Sequence, residues 1–570
     1  MHDRFYIAGV LRETGRLLTV AGENPFRARA YERAARALEN FAGDFDGLVK
    51  SHRLMQIEGV GDALAAVIEE VYRTGESGSL QRLRDELPRG VVELSGVAGL
   101  NVKKIAALHE ALGIQSIADL KTACEKGSVR MVKGFGVKAE ANLLAAIEKL
   151  QGRENSVLLN QALDEAGRLL EYLRLAPAVT QCDAAGSLRR RKETVKRIPL
   201  VAASDSAGAV IEHFLRYPAF TGSDAIDSHR SVGRLPEGTE VELVVAPPGE
   251  YIAALHRWTG STAHLTALET LAGTQGLSLD ADGLRGRGGR RLKITSEDDI
   301  YRRLGLEYIA PELRENQGEI EAAADKALPE TATAQDIKGM IHCHTTYSDG
   351  RNSIEEMALA ADAMGMKYLT ITDHSPSAFY ARGVKIDRMR AQWDEIDRVQ
   401  EQVQIKLLKG TESDILEDGL LDYPDYILEK LDIVIASIHS RHKMDADRMT
   451  ARLLRALKLP LFKIWGHPLG RLIPSRPPLE CHMEEVLDAV ADARAAIEVN
   501  GSPHRLDLEP RWIRAARRRG IKFVVSTDAH SLRELHNLSF AMAMARRGWL
   551  SREDILNTLP VSDFMKAVRP

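Results

Sequence analysis

Cysteine is scarce in this 570-residue chain: there are four, at Cys124, Cys182, Cys343 and Cys481, and no CxxC. A disulfide framework is thereby excluded, and a reducing cytoplasm is the expected compartment. Aromatic residues reach only 5%, so the cores must be built mainly of Leu, Val, Ile and Ala. No apolar run of about 18 residues occurs, so no membrane span is expected. The opening MHDRFYIAGVLRETG puts charges where a signal peptide needs its apolar stretch. Neither sign of charge is in excess. Lys and Arg total 77 against 81 Asp and Glu, a net charge of -4. That excludes a globally basic nucleic-acid coat and an acidic tail, but leaves room for a basic groove on one domain.

What is present falls into successive styles, and the length suggests about three to five domains. Residues 1–150 have apolar positions at helical spacing with short Gly-containing breaks. Residues 151–316 mix helical patterns with β runs such as VELVVA (241–246), and 317–335 is an Ala-, Glu- and Thr-rich stretch that reads as a connector. From 337 onward β runs alternate with helical patterns, which argues for βα units around a parallel sheet or barrel.

The first region repeats one device. Gly59 and Gly61 precede a helical run, as do Gly134 and Gly136; a third copy has Gly99 followed by Asn101, a residue that tolerates left-handed backbone. A tight Gly turn opening a helix presents free N–H groups to a phosphate. A lone G-x-G is more often plain turn chemistry. Three in one helical region read as helix-hairpin-helix units that grip a DNA backbone without reading sequence.

In the last region, β runs end on metal-ligand residue types: His342 and His344 with Asp349 beyond, Asp373 with His374, Glu412, His439, His467, Asn500, and Asp528 with His530. The x-spaced pairs His342/His344 and Asp528/His530 are expected on one side of an extended strand. In a βα barrel the strand ends converge at one mouth. A single His after a strand is more often packed than ligating, Asp373 could cap the following helix, and Cys343 alternates toward the core. The joint pattern points to a metal cluster, and mixed imidazole and carboxylate donors suit Zn²⁺, Mn²⁺ or Fe²⁺. Glu412 is a candidate bridge, with Glu412 and Asp528 at the chemistry. Arg441 and Arg471, just past ligand positions, are candidates to hold a phosphate or else solvated surface residues.

The second region carries a resemblance. AAGSLRRRKETVKRIPLVAAS (184–204), HRWTGSTAHL (256–265) and LGLEYIAPELRE (304–315) resemble the palm, nucleotide-pocket and core-end motifs of family X DNA polymerases. The helix-hairpin-helix region before them and the domain after them match bacterial members fused to a PHP (polymerase and histidinol phosphatase) domain. The resemblance covers essentially the whole chain. It implies a multidomain α/β protein: helical domains at 1–80 and 81–150, an α+β nucleotidyltransferase-like palm at 151–225, a thumb at 226–316, a linker at 317–335, and a distorted (β/α)7 barrel at 336–570. It places two or three metals (Zn, Mn or Fe) on His342, His344, Asp349, His374, Glu412, His439, His467, Asp528 and His530.

The palm departs from the family. Its two-metal chemistry needs three carboxylates, yet Arg197 and Pro199 stand at two of those positions and Glu242 alone keeps the third. Gly186, Ser187 and Arg190 retain the phosphate-binding pattern, whereas Leu265 and Glu269 replace an Asn and an Arg. Ala63 and Val67 stand where a lyase Lys would form a Schiff base. Arg197 and Glu242 are expected to pair in the vacated metal site. The resemblance implies a DNA-repair phosphoesterase with 3′→5′ exonuclease activity. It adds 3′-phosphatase and abasic-site cleavage as candidate further activities. The chain is expected to act as a monomer on gapped, nicked or 3′-ended DNA in the bacterial nucleoid. An active gap-filling polymerase with the same exonuclease, and a histidinol-phosphate-type small-molecule phosphatase, remain as alternatives.

Overall fold

The structure, a computed structural model, describes residues 4–568 except 22, 42–44, 58, 87–89, 91–93, 96, 98, 154–155, 236–237, 281–282, 287 and 474. The chain forms two compact units, one of residues 1–154 with 349–351 and 379–382, the other of the remaining residues. The first is helical and has two apolar cores, one spanning Ile7 to Leu83 and the other Leu94 to Ile147. Gly59, Gly99 and Gly134 have φ of 86°, 92° and 94°, the left-handed backbone that each hairpin turn demands. The second position works differently from expectation in two of the devices. Gly61 and Asn101 are extended helix N-caps, with φ of -99° and -131°. Asn101 replaces Gly there because its side chain caps Lys104 N at 3.0 Å, so left-handed tolerance is not what the site uses. The helix Asp62–Thr74 carries Ala63 and Val67 in its first turns.

In the second unit, after the helix Leu159–Arg174, comes a five-stranded sheet: β1 (Gln181–Ala184), β2 (Arg197–Ala203), β3 (Gly222–Ala225), β4 (Arg230–Arg234) and β5 (Glu240–Ala246). Their order is β1-β2-β5-β4-β3. The palm boundary expected at 225 therefore falls inside this sheet, because β4 and β5 pair into it. Pro199 is tolerated within β2. Its carbonyl still accepts Ala185 N at 2.8 Å, and only the reciprocal bond is lost, where β1 turns into the helix Gly186–Arg189.

The segment expected to be a free connector is folded. Glu319–Ala324 is a helix, and Ile320 and Ala323 join the thumb core. Glu319 is fully buried against His264 Nδ1 at 2.7 Å.

Seven parallel strands then close a barrel in chain order: β6 (Gly339–Cys343), β7 (Tyr368–Ile371), β8 (Lys406–Asp414), β9 (Ile433–Ser437), β10 (Ile464–Trp465), β11 (Ala496–Asn500) and β12 (Phe523–Ala529). Nearly every strand residue is buried, as expected where helices cover the outside and side chains fill the inside. Cys343 lies in the core. Among the described residues no helix is long and apolar enough to cross a membrane.

Candidate metal centre

The strand ends meet at one mouth. The x-spaced pairs do so by a route that alternation alone would not give. The register of β6 shifts against both neighbours between Met340 and Cys343, and His342 there has φ of 63°; Asp528 has φ of 51°. Left-handed backbone at such residues costs about 1–3 kcal/mol and persists only where the surroundings hold it. A bulge of this kind re-aims a side chain. The His342 and His344 rings end 5.1 Å apart, and His344 stacks on His530 at 4.1 Å.

Glu412 is the hub. Its Oε2 lies 2.9 Å from His374 Nδ1, 3.3 Å from His342 Nε2 and 3.7 Å from His344 Nε2. Its Oε1 lies 2.7 Å from His467 Nε2 and 3.2 Å from His439 Nε2. The two oxygens thus face two groups of imidazoles. Asp528 Oδ1 lies 3.3 Å from His344 Nε2 and 3.6 Å from His342 Nε2. Three overlapping groups have donor atoms within 4.8 Å of one another: His344, Asp349, His374 and His530; His342, His344 and Glu412; His374, Glu412 and His439. All nine sequence-predicted positions are buried or nearly so.

The donor set fits divalent cations. Among the described residues, buried His342 Nε2 and Glu412 Oε2 make no hydrogen bond. Burial disfavours charge on His342, but Glu498, Glu412 and Asp528 outweigh it and raise its pKa well above the ordinary value. His439 is pushed up to about 10, with burial opposing and Glu412 and Asp414 prevailing. Burial would raise the Glu412 carboxyl, yet His439, His342, His374 and His467 hold it far below the usual range. Protons on imidazoles balance these carboxylates; a bound cation would take their place.

Outer partners fix the imidazoles. Glu498 Oε1 is 2.5 Å from His342 Nδ1, and its Oε2 accepts His467 N at 2.5 Å. Asp414 Oδ1 is 2.8 Å from His439 Nδ1. Neither residue is evident from the ligand pattern alone. The available signal was a carboxylate two positions from a strand-end residue, Glu412/Asp414 and Glu498/Asn500, facing the same barrel interior. Asp373 does not cap a helix. It accepts Thr345 N at 2.8 Å, Ser348 N at 3.2 Å, and Gln392 Nε2 at 2.6 Å, anchoring the loop that leads to Asp349.

The two arginines expected at a phosphate are placed elsewhere. Arg441 is exposed and pairs with Glu417 at 3.2 Å. Arg471 is buried. It donates Nε to Arg505 O at 2.7 Å, Nη1 to Glu509 Oε1 at 2.9 Å, and Nη2 to Leu506 O, so its fork is spent on protein groups. The arginine at the mouth is Arg505. Its Nε lies 3.2 Å from Asp528 Oδ2, and its buried Nη1 has no hydrogen-bond partner among the described residues. Nothing in the sequence spacing distinguished it, because it comes from a loop beyond β11.

The palm site is rebuilt around substituted residues. Arg197 Nη1 donates to Glu242 Oε2 at 2.8 Å, as the sequence predicts. Pro199 pairs in register with Glu242, and a Cβ at Gly186 would lie 2.5 Å from Pro199 Cγ, so the proline ring packs on the Gly186 turn. Arg190 Nε is engaged by Glu315 at 3.0 Å and its Nη1 by Thr259 O at 2.5 Å; Ser187 sits in the same short helix. Leu265 is buried, and Glu269 pairs with Arg257.

Family models match in the same order: a helix-hairpin-helix domain at 4–77, a SAM-like helix-hairpin-helix tandem at 91–149, the DNA polymerase beta thumb at 254–315, and the PHP domain at 341–502. The chain is 34% identical over 550 residues to the DNA polymerase/3′-5′ exonuclease PolX of Bacillus subtilis, covering 96% of each. The chain is also 30% identical over 235 residues to a "probable phosphatase" of Caldanaerobacter subterraneus, 38% of this chain and 85% of that protein. A "probable phosphatase" of a Thermoanaerobacter species is likewise 30% identical over 236 residues, 39% of this chain and 91% of its own length.

Proposed function

This chain belongs to the PolX family of DNA polymerase/3′-5′ exonucleases, and we propose that its working chemistry is phosphodiester hydrolysis at the barrel mouth, with the palm retained to bind DNA. The observation that carries this is the contrast between two sites: eight potential ligands cluster with Glu412 at the barrel mouth, while Arg197 pairs with Glu242 at the palm position where the resemblance would put a cation.

His342, His344, Asp349, His374, Glu412, His439, His467, Asp528 and His530 would hold two or three divalent cations, with Glu412 at the hub of the donor set. Bound there, such cations supply Lewis acidity to the phosphoester and lower the pKa of the attacking water. Arg505, beside Asp528 with an uncommitted Nη1, holds a non-bridging phosphate oxygen. Glu498 and Asp414 keep His342 and His439 in the tautomers that leave Nε2 for the centre.

The hairpins at Gly59, Gly99 and Gly134 grip phosphates of a gapped, nicked or 3′-ended DNA. The activity is 3′→5′ exonucleolytic, with 3′-phosphate removal or abasic-site cleavage as related hydrolyses by the same centre, in a cytoplasmic DNA-repair role.

The deciding experiment pairs two assays of the purified chain. Mn²⁺-dependent degradation of a 3′-recessed duplex, lost in His342→Ala, supports this reading. Template-directed filling of a gapped duplex that disappears in Glu242→Ala would overturn the palm assignment. Turnover of histidinol phosphate without any nuclease activity would overturn the DNA assignment.

A further inference from the structure

We propose that Glu193, on the palm, is a positioning residue for the barrel's phosphate site, acting through Arg471 on Arg505. This rests on the hydrolytic reading above and deepens it by assigning part of the phosphate grip to a different domain.

The path is continuous. Glu193 follows the short helix that leads to Arg190, and its carbonyl accepts Leu159 N at 3.1 Å, which fixes the loop. Its side chain leaves the palm for the barrel. Oε2 accepts Arg547 Nη1 at 2.7 Å, and Oε1 lies 3.6 Å from Arg471 Nη2. Arg547 also returns a bond to the palm, from Nη1 to Arg191 O at 3.2 Å. Arg471 then holds the carbonyls of Arg505 and Leu506, and Arg505 reaches Asp528.

Charge explains why the carboxylate matters. Arg471 and Arg547 are both buried, and Glu509 offsets only the first. Buried guanidiniums need matched counter-charge, and removing one partner strands the others. Burial would raise the Glu193 carboxyl, but Arg547 and Arg471 hold it down at about 2, so it is charged across the neutral range. Without that charge Arg471 loses one side of its clamp, and the loop presenting Arg505 is released. An ion pair that merely glued two domains could sit on any surface arginine; Glu193 sits on the arginine that holds Arg505's own carbonyl.

The test is a double-mutant cycle on the full-length chain, loaded with Mn²⁺, hydrolysing the 3′-terminal nucleotide of a single-stranded oligonucleotide. Glu193→Gln should lower the saturating rate about tenfold, with metal content unchanged and KM for DNA within about twofold. In an Arg505→Ala background the same substitution should change the rate less than about twofold. Arg547→Lys, which keeps the charge but loses the fork, gives a second entry to the same cycle should Glu193→Gln fold poorly. Equal losses with and without Arg505, or an unchanged rate in Glu193→Gln, overturn the proposal. A wild-type chain without Mn²⁺-dependent hydrolysis overturns both this proposal and the reading beneath it, whereas additive losses overturn this one alone.

Discussion

Arg197 and Glu242, on adjacent parallel strands, are joined by a 2.8 Å hydrogen bond from guanidinium to carboxylate. Glu242 is almost fully buried, while the Arg197 side chain is 55% exposed. The cation occupying this corner of the palm is therefore covalently part of the protein. Like charges repel strongly in a partly dry site, so a divalent ion beside Arg197 is disfavoured. Incorporation of nucleotides on a gapped duplex is expected to be undetectable with Mg²⁺ or Mn²⁺. Because the pair is half in solvent, Glu242→Gln should shift stability by only about 1 kcal/mol, measured by denaturant unfolding.

At the barrel mouth, Glu412 faces five imidazoles with two oxygens. Glu412→Gln should cut exonuclease activity by at least about 100-fold and reduce bound metal, read by elemental analysis of the purified protein. Retention of full metal content and activity would show that the hub is structural.

Glu498 and Asp414 touch the imidazoles on the side away from the centre. Glu498→Gln and Asp414→Asn should each weaken metal retention or activity by about 10- to 100-fold, without the complete loss expected of a ligand. Titration with a competing chelator separates the two classes.

The thumb contains a buried charge cluster that predicts acid sensitivity. Glu297 accepts Arg189 Nη2 at 2.7 Å and Arg314 Nη1 at 2.6 Å. Burial would raise its carboxyl, but the two arginines hold it at about 2. The folded value lies below the unfolded one of about 4.3, so the stabilisation is complete above about pH 4.3 and is lost as pH falls toward 2. Glu297→Gln leaves Arg314 buried without its counter-charge, costing about 3–5 kcal/mol at pH 7. Thermal unfolding should show the gap between variant and wild type constant from pH 7 to pH 5 and narrowing at pH 3.

Gly134 has φ of 94° at the turn of the last hairpin. Gly134→Val strains that turn and should weaken DNA binding equally across sequences. The slope of log affinity against log salt should become shallower by about one unit for each phosphate the hairpin no longer holds. A sequence-dependent loss would contradict backbone gripping.

The sequence by itself determined the residue chemistry: which strand ends carry imidazoles and carboxylates, where glycines open hairpins, and, through the family resemblance, that Arg197 and Pro199 stand at two positions where a palm carboxylate is expected. These are legible because ligand types at strand termini and G-x-G turns are local patterns. The resemblance narrowed these strand-end residues to nine candidate ligands, which the structure brings to one mouth, and the expected Arg197–Glu242 pair is formed. Tertiary structure alone decided the rest. The bulge at His342 and the left-handed Asp528 depend on how neighbouring strands hold the backbone. Arg471 and Arg505 look alike in sequence, since each follows a strand by a few residues. Only the loop packing turns one toward carbonyls and leaves the other at Asp528. A guanidinium's role is set by which acceptors lie within reach of its five donors, and that is fixed by neighbours distant in the chain.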